Sequence, residues 1–269
     1  MSQDLYGGKG WVKLWSKLEQ QGNVGIDYCI NPILYPKICK ALNTIENAIM
    51  VDFGAGTNIL AIQFLFGYRE NIPALMKCKN LDKARQNVKE FIGFEQSSNL
   101  VSEAKKYHRD LGYPNSIDIQ KMNLVKGEKL PLSNTSVDIS ISRNFIMHLS
   151  PEDLEYHLQE TARILNKGKY ILAVLNPEYE QRKYKALNPG KPDLKDGQRY
   201  GFTHGTKGES GIFYHYFKTT QHYEKLFEKH FVIIDKKPCT PMVNEFKKTH
   251  ERYYWKNCPM AFIYELKKK

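Results

Sequence analysis

The chain has 269 residues and a formal charge of +11, with 41% hydrophobic, 26% charged and 12% aromatic residues. That length suits one large domain, alone or with a lid, or at most two small ones. The aromatic content excludes disorder of the whole chain, and no apolar run approaches the ~20 residues of a membrane helix.

The start, MSQDLYGGKGW, lacks a basic-then-apolar leader. Cys29, Cys39, Cys78, Cys239 and Cys258 form neither a disulfide framework nor a metal-binding spacing. The expectation is a cytoplasmic protein that binds no membrane and no metal. The basic residues are scattered apart from Lys267, Lys268 and Lys269. The charge therefore reads first as solvated surface and second as a surface for nucleic acid.

Trp11, Leu14, Trp15 and Leu18 share one face of an amphipathic helix, and Ile33, Leu34, Ile38 and Leu42 mark a second. Residues 1–45 thus predict a helical cap or lid. The period then changes. AIMVDFGA (48–55) is a buried parallel strand ending in small residues. EFIGFEQ (90–96), SIDIQKMN (116–123), VDISISRN (137–144) and KYILAVLN (169–176) continue the strands. Helical faces lie between them, one from Leu100 to Leu111 capped by Ser97 or Ser98. Another opens at Ser150, Pro151, Glu152 and Asp153 and ends at Gly168. Such alternation predicts an α/β fold with a parallel sheet covered on both sides.

Residues 177–211, rich in proline and glycine, read as an inserted loop or lid within a domain spanning 46–269. Asn176-Pro177-Glu178-Tyr179 reads as a strand-end turn. A helix through Tyr223, Leu226 and Phe227, the strand HFVIID and the strand PMAFIYEL follow. The last two lack a crossover helix and should be antiparallel.

The most informative segment is Asp52-Phe53-Gly54-Ala55-Gly56-Thr57-Asn58. A strand running into Gly-x-Gly and then a helix lets the backbone approach a ligand with no Cβ in the way. Dinucleotide folds place a third glycine where Ile59 stands, and they do not place an acid where Asp52 stands. The segment resembles the first motif of the class I S-adenosylmethionine-dependent methyltransferases. The ordered series from about residue 48 to 266 carries the resemblance further. It implies a Rossmann-like seven-stranded, mostly parallel sheet with an antiparallel last strand.

For the cofactor, S-adenosylmethionine, the resemblance implies Asp52, Gly54, Ala55, Gly56 and Asn58 at the methionine end. It implies Glu95 on the ribose hydroxyls, with Gln96 beside it. Asn123 accepts from the adenine amino group, Leu124 walls the ring, and Arg143 lies in the stretch SRNFIMHLSPEDL that closes the methionine side. Gly56 and Glu95 stand nearly twice as far apart as the ~20 residues usual in nucleotide folds. Residues 66–90 therefore read as an inserted or extended segment.

Methyl transfer needs positioning first, and a base only where the acceptor must lose a proton. His148 and His215 are the candidate bases, and Tyr6, Tyr28, Arg143 and Tyr214 the candidate acceptor contacts; each has an alternative role in packing or ion pairing. The leading expectation is a methyltransferase acting on a small molecule under an aromatic lid. The alternatives are an RNA or protein methyltransferase using the basic surface, a nicotinamide-dependent dehydrogenase, and a binding protein without turnover.

Overall fold

The computed structural model describes residues 27–66, 75–112, 114, 116–204, 211–240, 255 and 258–269. In chain order the elements are α1 (Asp27–Leu42), β1 (Ala48–Phe53), α2 (Ile59–Phe66), α3 (Leu81–Gln86), β2 (Val88–Glu95), α4 (Ser98–Asp110), β3 (Ile117–Lys121), β4 (Val137–Ser142), α5 (Pro151–Ile164), β5 (Leu165–Leu175), α6 (Pro177–Leu187), β6 (Arg199–His204), β7 (Gly211–Tyr216), α7 (Thr220–His230), β8 (Phe231–Cys239) and β9 (Ala261–Lys268). Short 3-10 turns occupy Leu75–Lys77 and Ile146–His148. The helix expected at Trp11 to Leu18 lies outside the described residues, as do Tyr6 and the side chain of Tyr28.

Seven strands form one sheet in the order β3-β2-β1-β4-β5-β9-β8. The first five run parallel, while β9 pairs antiparallel with both β5 and β8. The expected architecture is the one observed, with the antiparallel last strand inserted between β5 and β8.

Alternation along the strands builds two cores. Met50, Ile139, Ile141, Ile171, Ala173 and Ile263 face α1 and α2, where Leu34, Ile38 and Phe64 meet them. Val51, Phe53, Tyr170, Leu172, Val174 and Leu266 face α5 and α7, where Leu154, Leu158, Leu226 and Phe227 meet them. Burial on both faces explains why β1 is almost continuously apolar. Lys37 on α1 binds Asp235 at 2.7 Å and Glu265 at 2.9 Å, and so ties that helix to β8 and β9.

The caps follow the sequence. Ser97 accepts from the amide of Leu100, Ser150 from Asp153 with Pro151 in the first turn, and Thr219 from His222. Two expectations fail. Gly168 does not end α5; it lies inside β5, where the β4–β5 register shifts between Val137 and Ile139. A Cβ there would stand 1.7 Å from the Asp138 carbonyl oxygen, so this glycine serves a close strand approach.

Nor is 177–211 a plain loop. Asn176 accepts from the amide of Glu178, and Pro177 opens α6, so the supposed strand-end turn is a helix start. β6 and β7 then pair as an antiparallel hairpin, a second small sheet. The described part of 66–90 holds the 3-10 turn and α3.

Candidate active site

The cofactor-side cleft opens where β1, β2 and β4 end. It encloses about 820 Å³ out to its mouth. Parallel strands that all end at one edge leave such a crevice at the point where strand order reverses.

The glycine turn sets its shape. Gly54 has φ of 70° and Gly56 has φ of 60°. The amides of Gly54 and Ala55 both donate to the Phe94 carbonyl, at 2.9 and 3.0 Å, which closes the turn against β2. A Cβ on Gly54 would meet Phe145 at 2.7 Å, so the ring of Phe145 lies directly over the turn. Asn58 is also left-handed, with φ of 64°. Asn residues tolerate that conformation because the short polar side chain bonds locally.

Glu95 joins the turn to the next helix. Its carboxylate accepts from the Gly56 amide at 3.0 Å and from the Ser97 amide at 2.9 Å. Each oxygen accepts from a backbone amide, and the two lone pairs on each carboxylate oxygen suit a pair of adjacent hydroxyls. Asp52 is buried at 3% exposure, and its Oδ1 meets no hydrogen-bond partner among the described residues. Burial pushes its carboxyl up to about 7; Arg143 opposes that and Glu95 adds to it. When the carboxyl is ionised, its open Oδ1 can receive a cation.

Gly54, Gly56, Glu95, Gln96, Leu124 and His148 all line the cleft, as expected from sequence. Met122, Val125, Asn144 and Phe145 line it as well. Asn123 stands beside the wall, with Oδ1 buried and unpartnered among the described residues. Arg143 lies near Asp52 and donates to Asn31 on α1 at 3.4 Å. Ala55 packs with Val101, Ala104 and Ile119, away from the lining, and contributes its amide to the turn. The side chain of Asn58 is fully buried beneath the turn, with Nδ2 3.2 Å from Nε2 of His108.

His148 marks the far wall. Its Nδ1 lies 2.9 Å from the Tyr214 carbonyl on β7, and its ring meets that of His215 edge to face at 4.8 Å. Burial holds His148 down at about 3, with a smaller push from His215. His215 is also held well below its ordinary value, by burial first and then by Lys183 and Lys218. Both imidazoles are therefore neutral at physiological pH. Nδ1 of His215 stands 3.0 Å from Glu180 Oε1, and the Tyr200 hydroxyl donates to that same oxygen. Tyr214 supports Arg199, whose guanidinium sits 4.1 Å over its ring.

Sequence reasoning missed Glu180, Tyr200 and Lys218. Lys218 is fully buried and donates to the Leu149 carbonyl at 2.6 Å, which pins the end of the turn that carries His148. Among the described residues no group of three or more His, Cys, Asp or Glu is arranged to hold a metal. No helix among them is long and apolar enough to cross a membrane.

Residues 76–173 match the family model of the methyltransferase domain. The match begins beyond the glycine turn and takes in Glu95, Asn123, Leu124, Arg143 and His148. Several solved structures share the fold. An S-adenosylmethionine-dependent methyltransferase from Clostridium acetobutylicum aligns with a TM-score of 0.60 at 13% identity, over 95% of this chain and 96% of that one. A chain from the complex between the Haloferax volcanii Trm112 methyltransferase activator and a methyltransferase aligns with 0.59 at 13% identity, over 98% and 97%. A Listeria monocytogenes structure described as an S-adenosylmethionine-dependent methyltransferase aligns with 0.56 at 16% identity, over 88% and 96%. No curated protein sequence matches the chain significantly. Domain match and strand order agree: residues 76–173 match a methyltransferase domain, and the sheet has the fold of these neighbours.

Proposed function

We propose that this chain is a class I S-adenosylmethionine-dependent methyltransferase, and that it acts on a small-molecule acceptor bound between the glycine-turn cleft and the layer formed by α6 and the β6–β7 hairpin. One observation carries the reading. His148, in the cleft wall, is hydrogen-bonded to the hairpin backbone at Tyr214 and meets the buried His215 edge to face. The acceptor end is thus enclosed by the chain's own segment, as small-molecule pockets are. In this reading α6 and the β6–β7 hairpin act as the lid over that end.

The cofactor supplies a methyl group already activated on a sulfonium. Asp52, with its bare Oδ1, pairs with the cofactor's ammonium, and Arg143 and the turn amides face its carboxylate. Glu95 takes both ribose hydroxyls, helped by Gln96. Asn123 Oδ1 accepts from the adenine amino group, and Leu124 packs on the ring. On the acceptor side His148 is the base and His215 supports it. A carbonyl only accepts, so the hydrogen of His148 is on Nδ1, facing Tyr214, and the lone pair is on Nε2. Tyr214 frames the acceptor.

The test is to incubate the protein with S-adenosylmethionine labelled in its methyl group and a cell extract, and then to separate small molecules, RNA and protein. Label is expected in the small-molecule fraction, with transfer changing less than twofold between 50 and 200 mM salt. The +11 charge motivates the other reading. Label in RNA or protein, with a steep loss as salt rises, would overturn the small-molecule acceptor.

A further inference from the structure

Behind His148 the chain buries polar side chains from separate elements. Glu180 comes from the first turns of α6, Tyr200 from β6, His215 from β7, and Lys218 from the approach to α7. The Glu180 side chain is 2% exposed. Its Oε1 receives both the Tyr200 hydroxyl and Nδ1 of His215. Its Oε2 meets no hydrogen-bond partner among the described residues. Burying a carboxylate is costly, and an unsatisfied oxygen adds to that cost. A leucine at 180 would pack the same face of α6 without that cost.

What the carboxylate provides is orientation. Oε1 accepts, so the hydrogen of a neutral His215 is on Nδ1 and the lone pair on Nε2. The Tyr214 carbonyl imposes the same tautomer on His148. Two neutral imidazoles in edge-to-face contact are therefore held alike by two acceptors, one of them Glu180. Orienting a base through a third, buried acid is a recurrent way to prepare proton transfer.

We propose that Glu180 is the positioning residue of the acceptor site: it fixes the tautomer and plane of His215 and, through the ring contact, the plane of His148 in the cleft wall. This rests on the reading of His148 as the group that meets the acceptor. The charged and titratable groups facing Glu180 are His215 and Tyr200 on the hairpin, Lys183 on its own helix, Lys218 before α7, and His148. Burial raises the Glu180 carboxyl to about 7, while the Tyr200 hydrogen bond, Lys218, Lys183 and His148 oppose that rise. Lys218, itself lowered to about 7 by burial, is held up by Glu180 first.

The experiment is two-bond proton–nitrogen NMR of the histidine rings in the full chain with S-adenosylhomocysteine, for wild type, Glu180→Leu and Glu180→Gln. In the wild type both rings should show the Nδ1–H tautomer at pH 7. Glu180→Leu should convert His215 largely to the Nε2–H form and shift the His148 ring signals. Glu180→Gln keeps an amide oxygen and should restore Nδ1–H, with its hydrogen less downfield because the acceptor is uncharged. In the labelled-extract assay, transfer should fall about 10-fold or more in Glu180→Leu and recover partly in Glu180→Gln.

A His215 tautomer indifferent to residue 180, or equal transfer in all three proteins, would overturn the proposal. If Glu180→Leu does not fold, an unchanged Nδ1–H signal in Glu180→Gln overturns it alone. Calorimetry on the same samples separates the two ideas. Wild-type protein that binds neither S-adenosylmethionine nor S-adenosylhomocysteine defeats the cofactor assignment, whereas normal binding in every variant with unmoved tautomers defeats only Glu180.

Discussion

The proposed cofactor half of the site takes its shape from one short run, Asp52 to Asn58, and from the backbone atoms that close it onto Phe94 and Glu95. The proposed acceptor half is assembled from side chains whose contacts span 66 positions for His148 and Tyr214 and 35 for Glu180 and His215. Backbone geometry is local, and three left-handed residues suffice to write it. Side-chain geometry here depends on the whole fold arriving first. The first half should therefore break when a single Cβ or charge is changed. The second should degrade in steps, with cofactor binding preserved.

The largest expected effect is at Gly54. Alanine there meets Phe145 at 2.7 Å and must hold φ of 70°. S-adenosylmethionine affinity should fall at least 100-fold by calorimetry, with about 2–4 kcal/mol lost from stability in denaturant titration. Adding Phe145→Ala should recover part of the stability, because the steric share is removed and the backbone share is not. Recovery of all of it would mean that the left-handed backbone contributes nothing.

Asp52→Ala and Glu95→Ala come next. Each should weaken the cofactor by roughly 100-fold, the size of a lost charge-assisted contact, while the fold persists by circular dichroism. Normal binding by both variants would remove the cofactor assignment of this half altogether.

The pH dependence of Asp52 is smaller and has two signs. Burial holds its folded-state carboxyl at about 7, above its ordinary value of 3.8. Pairing with an ammonium needs the ionised form, so cofactor affinity should weaken up to about tenfold per unit as pH falls below 7. Folding runs the other way. The native state holds the proton more tightly than the unfolded chain, so this group's contribution is fully present below the unfolded value and is lost as pH rises through 7. Asp52→Asn should flatten both trends, and a pH-independent affinity in the wild type would argue against an ionised Asp52 in the complex.

The smallest effect belongs to the acceptor half. Tyr200→Phe removes one of two donors to Glu180 Oε1 and should leave cofactor affinity within about twofold, at a stability cost of about 1 kcal/mol. A large loss of cofactor affinity in that variant would show that the two halves are not built independently.

Legibility in the sequence follows the same division. β1, the glycine turn, the Ser150–Pro151 helix start and the final antiparallel pair are readable because each signal lies within a few residues. Pro177 was misleading: a proline reads as a break, yet behind the Asn176 cap it begins α6. Gly168 reads as a helix end, but its reason is the Asp138 carbonyl of a neighbouring strand, which no local pattern reveals. Asn58 is legible as part of the turn, while its side chain turns toward His108 beneath it. His148 and His215 stand out as residue types, but their ring contact exists only in space. Glu180 looks like an ordinary acid in the first turns of a helix, and nothing near it in sequence announces Tyr200 or His215.

The placement of β9 has a consequence for the order in which the molecule is made. β8 touches the sheet only through β9, whose residues 261–268 are synthesised later. While translation passes β8, the five parallel strands and the glycine turn can already assemble. β8 must wait as an unpaired ribbon, with Val232 and Ile234 open to water. A ribosome-stalled chain halted before residue 261 would thus display a formed glycine-turn cleft beside a strand still seeking its neighbour.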